Sequence, residues 1–251
     1  MKFFKSISLL LMFVGLNALA HDVESRVSLE PENTTAIAGK TIYQFQLVDT
    51  KLNKLITDAD LTISHEKKLH FLAYDPSLNE FQHVHPEFDG KMWSVELNFS
   101  VSGNYWVWVQ GELAVDSEEF SASNRLMVSG GANAWPTPPV LPDNRTGVLG
   151  NSKVELSKSK IVAGKMVMIM VKFTRTDGTQ PNIEPYLGAF AHVVAVPEDG
   201  DSLMHVHPMA GSNPNEGMIH ATFPEAGNYR LWIQFIDGGN LKVIPLSVQV
   251  F

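Results

Sequence analysis

The chain contains no cysteine, which excludes a disulfide framework, a thiolate metal site and a lipid-bearing cysteine at the mature N-terminus. Beyond the first twenty residues it has no long apolar run, so no transmembrane helix is expected. No helical hydrophobic period is visible there either. Basic residues are scarce: 19 Lys and Arg face 27 Asp and Glu, for a formal charge of −8. That balance argues against nucleic acid and anionic membrane surfaces as partners, and is weakly attractive to cations.

What the first twenty residues do contain is an export signal. Lys2 and Lys5 precede an apolar stretch from Ile7 to Leu16, and Ala18, Leu19 and Ala20 form a small-residue cleavage site before His21. Residues 1–20 are read as a signal peptide, and the mature chain is expected to be periplasmic or secreted, without a membrane anchor. Cleavage removes two lysines and makes the mature chain more acidic.

The remaining sequence is written twice. Ala38-Gly39-Lys40 is answered by Ala163-Gly164-Lys165, and Gly103-Asn104-Tyr105 with Trp108 and Gln110 by Gly227-Asn228-Tyr229 with Trp232 and Gln234. Such self-similarity marks a duplicated domain. Each copy reads as short alternating strands punctuated by Gly, Pro, Asn and Asp, the signature of an antiparallel β-sandwich. The expected fold is all-β, with tandem immunoglobulin-like sandwiches at residues 21–129 and 147–251 joined by a Pro-rich linker, 130–146. Tyr105 and Tyr229 stand where such sandwiches carry a corner tyrosine. Trp108 and Trp232 are read as packing residues, and Trp135 and Leu141 of the linker as side chains that dock on a sandwich.

The chemistry lies in a repeated motif. His-Val-His-Pro occurs at His83–Pro86 and at His205–Pro208, each time with a histidine thirteen positions upstream, His70 and His192. The segments between are strand, turn, strand. If each hairpin folds about the middle of its turn, opposed residues have index sums of about 155 and about 399, setting His70 opposite His85 and His192 opposite His207. His83 and His205 share those faces because side chains alternate with period two. Three imidazoles on one patch form a ligand set for zinc or copper. The predicted metal ligands are His70, His83 and His85 in the first copy and His192, His205 and His207 in the second. Met209, just past the second motif, would add a soft sulfur that favours copper, with zinc as the alternative. Met166, Met168 and Met170 share one strand face and are read as core filler.

The runs His65–His70 and Tyr186–His192, each leading to HVHP, followed by Gly-Asn-Tyr and Trp-x-Gln, resemble a family of exported bacterial proteins with duplicated β-domains. The resemblance implies an association with copper and other heavy metals, without a settled function. The resulting expectation is a non-enzymatic metal carrier, buffer or sensor with one three-histidine site per domain, exchanging its ion with another periplasmic metal-handling protein. A structural or adhesive module without metal, a metal-dependent hydrolase and a copper enzyme using His21 are the alternatives. Sequence assigns no oligomeric state, and no role to His21, His65 or His220.

Overall fold

The structure is a computed structural model, described for residues 25–64, 67–133, 141–186, 189–206 and 208–251. The leader, His21, His65, Trp135 and His207 therefore lie outside the described residues. The strands of the first half are β1 (Val27–Pro31), β2 (Thr35–Ile37), β3 (Gly39–Asp49), β4 (Lys54–Leu55), β5 (Leu61–Thr62), β6 (Leu69–Tyr74), β7 (Phe81–Val84), β8 (Glu87–Phe88), β9 (Trp93–Phe99), β10 (Gly103–Leu113) and β11 (Glu119–Ser129). Those of the second are β12 (Thr146–Leu149), β13 (Ser152–Leu156), β14 (Met166–Arg175), β15 (Ile183–Glu184), β16 (His192–Pro197), β17 (Met204–Val206), β18 (Met209–Ala210), β19 (Glu216–Thr222), β20 (Gly227–Asp237) and β21 (Asn240–Val250). Among the described residues the only helical element is a 3-10 turn at Asp58–Asp60.

Each half is a two-sheet sandwich. In the first, β1-β3-β9-β8 faces β2-β11-β10-β6-β7; in the second, β12-β13-β14-β19-β18 faces β20-β16-β17, with β21 on the other side of β20. These are the A-B-E-D and G-F-C orders of immunoglobulin sandwiches, which establishes the fold from strand connectivity. The corner tyrosines are in place: the Tyr105 hydroxyl donates to Val101 O and that of Tyr229 to Glu225 O, each at 3.1 Å. Period-two burial fills both interiors. Phe71, Ala73, Tyr105, Val107 and Val109 point into the first core, and Val193, Ala195, Tyr229, Leu231 and Ile233 into the second.

The central strands β6 and β16 are buried on both faces, as strands sandwiched between two layers must be. Their other face builds a third core between the two sandwiches. Leu72, Tyr74, Leu78 and Trp108 from the first copy meet Val194, Val196 and Trp232 from the second. Phe81 stacks on Trp232 with ring centroids 4.4 Å apart, and the Tyr74 hydroxyl donates to Gly200 O at 2.7 Å. Arg230 Nε donates to Leu78 O at 3.0 Å. Trp108 and Trp232 are thus packing residues, though the packing is between copies.

The linker contributes to the same contact. Leu141 is 1% exposed within the third core, and Ser247 of β21 donates to Pro142 O. The two sandwiches are therefore docked through their G-F-C sheets, with Leu141 packed in the seam.

Candidate metal site

The outward rows of β6 and β16 run from apolar to imidazole: Tyr74, Leu72, His70 in one copy and Val196, Val194, His192 in the other. The hairpin registers are those read from the turns. Leu72 pairs with His83 and Phe71 with Val84; Val194 pairs with His205 and Val193 with Val206. Period two then puts His70 and His83 on the face that holds Leu72, and His192 and His205 on the face that holds Val194. Both faces belong to the contact between sandwiches, so the histidines lie at one end of it.

In the first copy His70, His83 and His85 each offer a ring nitrogen, and these atoms lie within 4.8 Å of one another. His70 Nδ1 stands 3.0 Å from His83 Nε2. In the second copy His192 Nδ1 stands 3.1 Å from His205 Nε2. The third expected ligand there, His207, falls outside the described residues.

Sequence reasoning placed one site in each domain, and the structure corrects the separation between them. The His70 and His205 ring centroids are 5.2 Å apart, His83 and His205 5.1 Å, and His83 and His192 5.8 Å. His192 and His205 thus meet the first triad across the interface. The cause is the docking of the G-F-C sheets, a contact that neither hairpin encodes alone.

Neighbouring acceptors fix the tautomers. His70 Nε2 faces Ser64 O at 3.4 Å, and His192 Nε2 faces Tyr186 O at 2.9 Å. A carbonyl oxygen only accepts, so these contacts favour the tautomer with the proton on Nε2, which makes Nδ1 the ligating nitrogen. His83 Nδ1 donates to Gln234 Oε1 at 2.7 Å, which leaves its lone pair on Nε2. Gln234, 1% exposed on β20 of the other copy, belongs to the Trp-x-Gln repeat, but nothing in that pattern assigns it to a histidine.

Burial governs the charge of these rings. It holds His83 well below the ordinary imidazole range, against the raising effect of Gln234, and burial also lowers His85 to about 4, helped by neighbouring His70, Lys67 and His192. A neutral ring is the ligating form. His85 Nε2 is buried without a hydrogen-bond partner among the described residues. Two ligands on a tetrahedral ion would be about 3.3 Å apart, given metal–nitrogen bonds near 2.0–2.1 Å. The spacings of 3.0 and 3.1 Å fall slightly inside that edge. A cleft lined by His70, Gln110 and Glu119 of the first copy and His205 of the second reaches the cluster.

The methionines are elsewhere. Met209 lies in β18, 56% exposed, paired with Met218 in the sheet opposite the one that carries His192 and His205. Met166, Met168 and Met170 are 68%, 56% and 43% exposed, which overturns their reading as core filler. Val167, Ile169 and Val171 take the inward positions of β14.

Among known proteins, the profile of one family, described as a domain of unknown function (DUF8832), matches residues 147–251. No curated protein matches. Similar solved structures include a chimeric titin Z1Z2-Z1Z2 tandem, 10% identical, covering 90% of this chain and 99% of that one at a TM-score of 0.24. Fibronectin(III)-like modules of Clostridium thermocellum CbhA are 14% identical over 90% of this chain and 93% of theirs, again at 0.24. At such scores the likeness carries no argument about function.

Proposed function

We propose that the protein is a metal-binding protein whose ion sits in the histidine cluster between its two sandwiches, with copper preferred and zinc second. The observation that carries this reading is the convergence of His70, His83 and His85, which each offer a ring nitrogen within 4.8 Å of the others. A proton is disfavoured because burial opposes the charged ring. A transition-metal ion would take ring nitrogens of His70 and His83 as ligands, with His85 supplying a third. His192 Nδ1 and His205 Nε2 repeat the spacing at 3.1 Å. An all-imidazole donor set suits copper and zinc, and the divalent stability order puts copper first.

The protein would act outside the cytoplasm as a carrier, buffer or sensor, with ligand exchange as its mechanism and a metal-handling protein as its exchange partner. No acid or base beside the cluster is needed for that role. Elemental analysis of untagged mature protein, followed by copper titration of His83→Ala and His192→Ala, tests it. Stoichiometric metal that both substitutions abolish or weaken is expected. Wild-type protein that takes up no copper or zinc, or variants that bind as well as wild type, would overturn it.

A further inference from the structure

The outward face of the β14-β19-β18 sheet in the second sandwich is rich in soft ligands. Met170 of β14 pairs with Met218 of β19, which pairs on its other side with Met209 of β18; in the next row Met168 pairs with His220, and in the one after it Met166 pairs with Thr222. Met166, Met168, Met170, Met209 and His220 are exposed, and Met218 is half-buried. Five of the ten methionines in the chain thus stand on one face of three adjacent strands.

Neither packing nor strand propensity accounts for this. The solvent side of an antiparallel sheet is normally polar, and the residues favoured in strands are β-branched and aromatic. The first sandwich provides an internal control. Matched by pairing and burial, Ile169 opposite Ile219 answers to Tyr43 opposite Val95. Met166, Met170, Met218, His220 and Met209 then correspond to Lys40, Gln44, Ser94, Glu96 and Glu87, with only Met168 matched to another apolar residue, Ile42. On that copy the face is conventional, with Lys40 and Glu96 ion-paired at 3.1 Å. The duplicated sheet does not itself require sulfur here.

We infer that this face is a second metal site, separate from the histidine cluster, which binds a monovalent soft ion, Cu(I) or its analogue Ag(I), through the thioethers of Met170, Met218 and Met209 with His220 beside them. Directly opposed residues hold their Cβ atoms about 4.5–5.5 Å apart, and the methionine side chain has three rotatable bonds. Three sulfurs from one row can therefore converge on a single ion, with the imidazole of the next row within reach. Thioether donors select the monovalent, soft state of copper over zinc. The two sites would then differ in chemistry: imidazole nitrogen, buried between the sandwiches, and thioether sulfur, open to solvent.

The test uses the full mature protein with its methionine methyl groups labelled with carbon-13. Ag(I) added to one equivalent in chloride-free buffer should shift the methyl resonances of Met170, Met209 and Met218 and leave those of Met92 and Met127 in place. Met170→Leu, Met209→Leu and Met218→Leu together keep the size and apolarity of the exposed face and should remove this binding without lowering the melting temperature. His220→Ala should weaken it by roughly tenfold or more, the scale of losing a metal-site partner. The response should persist in His83→Ala and His192→Ala, so failure of the histidine site leaves this one testable. Unmoved resonances, uniform shifts of all methionines, or a response lost with the buried histidines would each overturn the proposal. A face that serves only to dock another protein would give the first of these results.

Discussion

Gln234 of the second sandwich accepts a hydrogen bond from His83 of the first, 2.7 Å across 151 positions of sequence. The first copy is thereby incomplete without the second: the ring is presented by one and held by its neighbour. Gln234→Leu would leave the buried His83 N–H without an acceptor. The expected cost is about 1–3 kcal/mol in stability and roughly 10–100-fold in metal affinity. Thermal unfolding and competition against a chelating dye read the two effects separately.

Coupling between the triads is the second expectation. Because the His83 and His205 rings lie 5.1 Å apart, their alanine substitutions should not act independently on metal binding. A double-mutant cycle is expected to show an interaction of about 0.5–3 kcal/mol. An additive result would return the protein to two independent sites.

Acid should loosen the metal-free protein. His83 and His85 have folded-state pKa values below the ordinary imidazole value, so the unfolded chain binds protons more readily than the folded one. Stability is then intact above about pH 6.5, the unfolded value, and falls as pH drops toward the folded His85 value of about 4. Denaturant midpoints measured from pH 7.5 to pH 4.5 should decline, and His85→Gln should flatten part of the slope. A midpoint unchanged over that range would contradict burial of these rings as neutral groups.

The seam between the sandwiches offers a packing test. Trp232 is 1% exposed and stacks on Phe81, and Trp232→Ala should cost about 3–5 kcal/mol. Gly200 has φ +79, and a Cβ there would lie 2.8 Å from Trp106 Nε1. Gly200→Ala should therefore destabilise through both strain and a clash across the interface, with Asn228→Ala, whose side chain reaches exposed Glu198, as a mild comparison. Calorimetry of the three variants would rank them Trp232, Gly200, Asn228.

Much of this site is readable from local pattern. The turn between Tyr74 and Phe81 sets the hairpin register, and the observed pairs Leu72–His83 and Val194–His205 follow from it. The direction in which the patch faces is harder to read. The only local cue is that Leu69–Tyr74 is apolar in nearly every position, which indicates a strand covered on both faces without saying by what. The methionine face is harder to read for a different reason. Met166, Met168 and Met170 share one face of β14 and Val167, Ile169 and Val171 the other, and both rows are apolar, so alternation alone leaves open whether the methionine face is covered.

Sequence alone determined the strands, the duplicated sandwiches, the corner tyrosines and the grouping of histidines within each hairpin, because each of these depends on side-chain alternation and turn residues a few positions apart. Only the tertiary structure decided that His192 and His205 lie against the first group, that Gln234 serves a ring in the opposite copy, and that the methionines of β14 face solvent. Those outcomes depend on two apolar sheets finding each other across the length of the chain, and on a strand register set by its neighbours, neither of which a local pattern can specify.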